Sequence, residues 1–231
     1  MKDQTLLMLD TETVTNFRLP YDVAFVKFCP IRGVLEKQHF FVRECLQYIL
    51  RYTAKKGKPP LYWPDKLNPA LLIKAKNCES AVEILSRFNN AAGECDKVVA
   101  HNVNFDLTAM QNMADKWAEG EKVRQCETLE LSGFFPDYLS KEYGEKVPYT
   151  KTGLATFKAD FFMPLLGNLV QGHDALGDVM NQIAVWQMVC NSRYTGKMTI
   201  FHNMLAYQKQ KHENARFVGI GFIPGIVAEK E

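Results

Sequence analysis

The residues of this chain best suited to chemistry are acids and histidines gathered into three short clusters. The first is Asp10-Thr11-Glu12, directly after an apolar run at residues 5–9. Side chains two apart on a strand point to the same face. Asp10 and Glu12 would then stand side by side and repel unless a cation lies between them. The second cluster is His101-Asn102-Val103-Asn104-Phe105-Asp106, which follows the short run Lys97-Val98-Val99-Ala100. Asp106 falls in the first turn of the helix expected there, where the helix dipole favours negative charge. The third is His173-Asp174-Ala175-Leu176-Gly177-Asp178. At about 100° per residue, His173 and Asp178 diverge on a continuous helix. They converge if His173 sits in the loop before the helix, with Asp174 as N-cap and Asp178 inside the first turns. Each cluster also has a plainer reading: solvated carboxylates at a strand end, a helix capped by Asn104 with an acid in its first turn, and a structural histidine.

The elements that must position these clusters can be read from the apolar pattern. Strands are expected at residues 5–9, 21–28 and 39–42, with Pro30-Ile31-Arg32-Gly33 as a turn between the last two. A helix is expected over 43–54, followed by a basic, proline-bearing loop over 55–69. Residues 80–91 read as a helix with Val82, Leu85 and Phe88 on one stripe. Residues 97–100 read as a buried strand, and 104–117 as a helix with Leu107, Met110, Ala114 and Trp117 at helical spacing. A further strand is expected over 125–131, an irregular charged segment over 136–150 and a short helix over 154–162. Residues 175–190 form the clearest helix, with Leu176, Val179, Ile183 and Trp186 on one face. Strands first, then helices alternating with strands, indicate an α/β fold: a mixed sheet under helical cover.

Taken together the clusters resemble the three motifs of the DEDD superfamily of 3′–5′ exonucleases, in its DEDDh branch. That branch includes the proofreading subunit of the bacterial replicative polymerase, ribonuclease T and oligoribonuclease. Leu9-Asp10-Thr11-Glu12-Thr13 is similar to the first motif, the stretch from Val98 to Asp106 to the second (HNxxFD), and the stretch from His173 to Asp178 to the third (HxAxxD). The resemblance implies a ribonuclease H-like mixed central β-sheet flanked by α-helices, with an exonuclease domain over residues 1–192 and a tail or packed extension over 193–231. It also implies two divalent ions, Mg²⁺ or Mn²⁺, held by Asp10, Glu12, Asp106 and Asp178. Asp10 would bridge them, Glu12 and Asp178 would bind the ion carrying the attacking water, and Asp106 would hold the second ion largely through water. His173 would be the general base. Thr11, Thr13, Asn102 and Phe105 would hold the terminal nucleotide. Many relatives carry a glycine after the first motif, where this chain has Val14 and Thr15, and an alanine where it has Val103. Neither change removes a metal ligand.

The chemistry agrees with that pattern. Phosphodiester hydrolysis needs an activated water and charge neutralisation at the phosphoryl oxygens, which a pair of divalent ions supplies. Hard cations prefer oxygen ligands, and carboxylates without cysteines provide them. An imidazole with an unperturbed pKa near 6.5 can take a proton at neutral pH. Two stretches interleave basic and aromatic residues, as a single-strand track does: Lys55, Lys56, Lys58, Tyr62, Trp63 and Lys66, then Lys141, Tyr143, Lys146, Tyr149 and Lys151. The plainer reading of both is a solvated loop.

Composition bounds the rest. The 231 residues hold 28 Lys+Arg against 26 Asp+Glu, a net +2, which excludes a chain that grips nucleic acid by overall charge. With 47% hydrophobic and 23% charged residues the chain is expected to fold. The opening apolar run is too short for a signal peptide, and no stretch approaches the ~20 apolar residues of a membrane span. The cysteines at 29, 45, 78, 95, 126 and 190 are scattered and lack metal-ligand spacing. Reduced buried thiols and a cytoplasmic location are expected. The substrate expected is the 3′ end of nucleic acid, with DNA, single-stranded or frayed, ahead of RNA. A DNA polymerase as a separate chain is a candidate partner. A non-catalytic binding module is the reading from another class, and the presence of all five key residues weighs against it.

Overall fold

The computed structural model describes residues 4–14, 17–61, 67–131 and 173–191. In chain order the elements are β1 (Leu6–Thr13), β2 (Pro20–Cys29), β3 (Gly33–Val42), α1 (Arg43–Lys56), α2 (Pro69–Leu72), β4 (Cys78–Glu79), α3 (Ala81–Gly93), β5 (Lys97–Ala100), α4 (Val103–Trp117), β6 (Thr128–Glu130) and α5 (Ala175–Asn191). The strands form one sheet in the order β4-β3-β2-β1-β5-β6. β1, β2 and β3 run as an antiparallel meander, whereas β5 joins β1, and β4 joins β3, in parallel. This is the mixed α/β sheet that the pattern of elements indicates. The chain divides into two compact units, one of Met1–Thr128 with Gly172–Met180, the other of Leu129–Gln171 with Asn181–Glu231. All three acidic clusters belong to the first unit.

Local chemistry explains the borders. Gly33 has φ +82, so the turn after Pro30 ends on a residue with no Cβ to clash. The helix α1 runs two residues beyond the expected 54 and stops at Gly57, whose φ of 75 forms a left-handed cap with its N–H donating to the Thr53 carbonyl. Ser80 and Glu83 form a capping box that starts α3. One face of the sheet, including Leu7, Leu9, Val23, Phe25 and Val98, packs with Leu46 and Ile49 of α1, Phe88 of α3 and Met110 of α4. Phe25 and Phe88 meet edge-to-face, with ring centroids 5.7 Å apart.

Several expectations need correction. β1 continues through Asp10 and Glu12 to Thr13, because its ladder with β2 persists to the end of the acidic cluster. β3 begins at Gly33 rather than 39. On α3 the buried face is Ala81, Ile84, Leu85, Phe88, Ala91 and Ala92, and Val82 is 47% exposed. Steps of three residues drift round a helix by about 60° each, which carries Val82 roughly 120° away from Phe88. Cys29, Cys45 and Cys78 are buried thiols, but Cys95 and Cys126 are only partly buried, and all five are free. Among the described residues no helix is long and apolar enough to cross a membrane. Thr15, Tyr62, Trp63, Lys66, the stretches 136–150 and 154–162, Lys151 and the tail from 193 lie outside the described residues.

Candidate active site

The end of β1 supplies the first side chains. Alternation along the strand separates Asp10 and Glu12 from Thr11. The Thr11 residue is 6% exposed, and its hydroxyl donates to Asp106 Oδ1 at 2.8 Å. That bond ties the first turn of α4 to β1 between the two acids. Asp106 is itself buried, at 4% exposure. The N-cap of α4 is Asn102, not Asn104, and its side-chain oxygen accepts from the Phe105 N–H at 3.4 Å. Phe105 is partly buried, with the Arg18 guanidinium 5.5 Å from its ring centre. Thr13 lies just past a shift in the β1–β2 register, opposite Pro20.

The third cluster folds as its spacing implied. Asp174 caps α5, accepting from the Gly177 N–H at 2.8 Å, while the Asp178 N–H donates to the Asp174 carbonyl at 3.0 Å. His173 precedes the helix with φ 53, a left-handed conformation uncommon for a non-glycine residue. Its Nδ1 lies 3.9 Å from Glu12 Oε1, too far for a hydrogen bond. Glu12, His173 and Asp178 each offer one ligand atom, and these atoms lie within 4.8 Å of one another. Asp178 is fully buried.

Burial and mutual repulsion set the acidity of this centre. Burial pushes Glu12 up from 4.5 to about 8, with the charges of Asp178, Asp22, Asp106 and Asp174 adding to it. Burial also pushes Asp106 up from 3.8 to about 7, against the pull of the Thr11 hydroxyl bond. The Asp10 carboxyl is raised well above the usual range, first by burial and then by Asp106, Asp178, Glu12 and Asp22. Part of Asp10 remains exposed as a residue, yet its carboxyl group sits deep among the other acids. Crowded carboxylates of this kind fit a divalent cation: the donors are hard oxygens, and their mutual repulsion falls when positive charge enters. The structure thus brings Glu12, His173 and Asp178 together and sets Asp10 and Asp106 within electrostatic reach of them.

Two residues at the site were missed in the sequence. Gly177 is one: a Cβ there would meet Asp174 Oδ2 at 2.6 Å and displace the cap. Asp22 is the other, a buried acid on β2 paired in register with Glu12. His39 Nε2 lies 2.7 Å from its Oδ1. Burial lowers the His39 imidazole, but the bond to Asp22 and the charges of Asp22 and Asp174 outweigh it and raise it above its ordinary value. The signal for Asp22 was available: one acid within the otherwise apolar run Tyr21-Asp22-Val23-Ala24-Phe25-Val26. A separate cavity of about 480 Å³, lined by Asn104, Thr108, Gln111 and Arg124 among others, includes none of the clustered acids.

No protein-family model matches the chain, and no curated protein matches it. Solved structures do. E. coli exonuclease I in complex with a dA16 oligonucleotide aligns with a TM-score of 0.61 at 17% identity, over 93% of this chain and 46% of that one. The product-bound structure of exonuclease I gives 0.60 at 18% identity, over 94% and 49%. A moderately thermophilic exonuclease I from Methylocaldum szegediense gives 0.55 at 16% identity, over 94% and 46%. The fold is the ribonuclease H-like exonuclease fold. The chain spans about half the length of the exonuclease I chains it matches. The shared fold and the six-stranded mixed sheet agree with the architecture implied by the three motifs.

Proposed function

We propose that this chain is a divalent-metal-dependent 3′–5′ exonuclease that degrades single-stranded or frayed DNA to nucleoside 5′-monophosphates. The observation that carries this reading is the convergence of Glu12, His173 and Asp178 within 4.8 Å on a centre whose other acids are Asp10 and Asp106. The fold likeness supports it, since exonuclease I structures are described with dA16 and with product. The histidine in the third cluster favours the DEDDh branch.

Asp10, Glu12, Asp106 and Asp178 would hold two ions, Mg²⁺ or Mn²⁺. Such ions supply positive charge against the phosphoryl oxygens and lower the pKa of water. The chain's own residues do the rest. His173 accepts a proton at a ring nitrogen, and its place before α5 sets that ring beside Glu12 and Asp178. Asp174 and Gly177 fix the helix start that carries His173 and Asp178. The Thr11 hydroxyl is committed to Asp106, so Thr11 would meet the terminal nucleotide through its backbone. Thr13, Asn102 and Phe105 would complete that contact, with the Phe105 ring stacking on a base. As partner, the ExoI/SSB-Ct complex among the similar structures favours an SSB protein over a polymerase.

The test is degradation of 5′-labelled single strands of DNA and RNA with Mg²⁺ or Mn²⁺, with and without chelator. A metal-dependent ladder shortening from the 3′ end, faster on DNA, is expected. A faster RNA ladder would reassign the chain as an exoribonuclease. No shortening of either polymer would overturn the enzyme reading.

A further inference from the structure

We propose that Asp22 is a positioning residue of the acidic centre, holding the first turn of α5 against the sheet and so setting His173 and Asp178 relative to β1. Its place alone calls for an explanation. Asp22 is 3% exposed and stands directly opposite Glu12 in the β1–β2 ladder. Like charges at facing positions destabilise a sheet, and a buried carboxylate without partners costs far more. Here both oxygens have partners from other elements. Oδ1 meets His39 Nε2 of β3 at 2.7 Å, and Oδ2 accepts from the Ala175 N–H at 3.2 Å.

The second bond gives Asp22 its role. Ala175 is the first residue of α5, and the amides of a first turn have no partner inside their own helix. Asp174 satisfies Gly177 from within the chain segment, and Asp22 satisfies Ala175 from the sheet. The Asp22 carboxylate also faces the positive end of the helix dipole. Ala175 lies two residues after His173 and three before Asp178, so one bond fixes the height and rotation of both. His173 keeps its left-handed φ of 53 only where its flanks hold it, and this tether is such a flank. Since both Asp22 oxygens are already engaged, its role is distinct from that of Glu12, which keeps its carboxylate toward His173 and Asp178. The inference rests on the exonuclease reading for its kinetic arm but not for its structural one.

The experiment removes the bond from either end. Asp22→Ala deletes the acceptor. Ala175→Pro deletes the donor at a helix position where proline is well tolerated. On single-stranded DNA with Mn²⁺, each is expected to lower kcat about 10–100-fold, as displaced supporting groups do, with KM changed less than about twofold. The double variant should be no worse than either single one, because both cut the same bond. Asp22→Asn, which keeps an oxygen for the Ala175 N–H, should recover most of the rate. Independently of activity, hydrogen exchange at residues 176–178 should quicken in Asp22→Ala and Ala175→Pro while β1 stays protected. Additive losses, a loss seen mainly in KM, or unchanged exchange at 176–178 would overturn the proposal. If Asp22→Ala does not fold, the Ala175→Pro and Asp22→Asn pair decides by the same readouts. If the native protein cuts no nucleic acid, the exonuclease reading fails and the exchange experiment alone decides this one.

Discussion

Replacing Glu12 by Gln removes one charge from a centre where charge is costly, and the cost can be worked out. The folded state holds the Glu12 carboxyl at about 8 against an ordinary 4.5. The folded protein therefore binds this proton more tightly than the unfolded chain, so stability falls as pH rises from about 4.5 towards 8. At about pH 7.5 some three pH units of that gap are in force, which sets a ceiling of about 4 kcal/mol. The side chain is 16% exposed, and solvent screening at that edge brings the expected figure to about 2 kcal/mol. For a chain of this size that is a rise in Tm of about 4–8 °C for Glu12→Gln over the native protein, both in chelator. At about pH 5 the two should melt within a degree or so, because the folded carboxyl is then protonated anyway. Mn²⁺ should reverse the order at pH 7.5, since a cation at about 100 times its Kd adds about 2.7 kcal/mol to the protein that binds it. Thermal melts followed by circular dichroism measure all three. A metal-free Glu12→Gln protein that melts at or below the native temperature at pH 7.5 would refute the idea that crowded, buried carboxylates strain this centre.

Three further outcomes follow from the same geometry. His173→Ala should lower kcat by about 10²–10⁴-fold while the Mn²⁺-induced rise in Tm persists; loss of the rise as well would make His173 a ligand instead of the base. Gly177→Ala places a methyl 2.6 Å from Asp174 Oδ2, so it should cost about 1 kcal/mol by displacing the cap, and combining it with Asp174→Ala should add little in a denaturant titration. Leu85→Ala should cost about 2–5 kcal/mol, whereas Val82→Ser should stay within about 0.5 kcal/mol, because Leu85 is fully buried and Val82 is 47% exposed.

The parts of the fold that were legible in the sequence are those where burial is uniform. β5 is legible at its observed limits because Lys97-Val98-Val99-Ala100 is buried throughout. The first half of β3 was missed because Glu36, Lys37 and Gln38 are polar. Among the described residues that half pairs with β2 alone, since β4 meets β3 at Phe41 and Val42, and a strand half paired on one side tolerates polar residues. A stripe drawn in three-residue steps puts Val82 on the wrong face, because such a step is shorter than a helical turn. At the site, the acids and His173 are legible because they gather in three short clusters beside apolar stretches of the sequence. Asp174 was legible as a cap because N-caps follow residue type closely. Asp22 could be noticed as a lone acid in an apolar run, but its role could not, because its partners are distant in sequence: Glu12 across a ladder, His39 on the next strand and the amide of Ala175. Nor was the Thr11–Asp106 bond legible, in which the Thr11 hydroxyl braces β1 against α4. Pairings between remote elements depend on the register of the sheet, and no local pattern encodes that.

The acidic centre stands or falls on one comparison. The native protein and Asp10→Ala are incubated side by side with a 5′-labelled single strand of DNA and Mn²⁺, and the products are resolved to single nucleotides. The native protein should shorten the strand stepwise from its 3′ end, chelator should stop it, and Asp10→Ala should leave the strand intact. An undiminished ladder from Asp10→Ala, or from the native protein in chelator, would contradict a carboxylate-held, metal-dependent exonuclease.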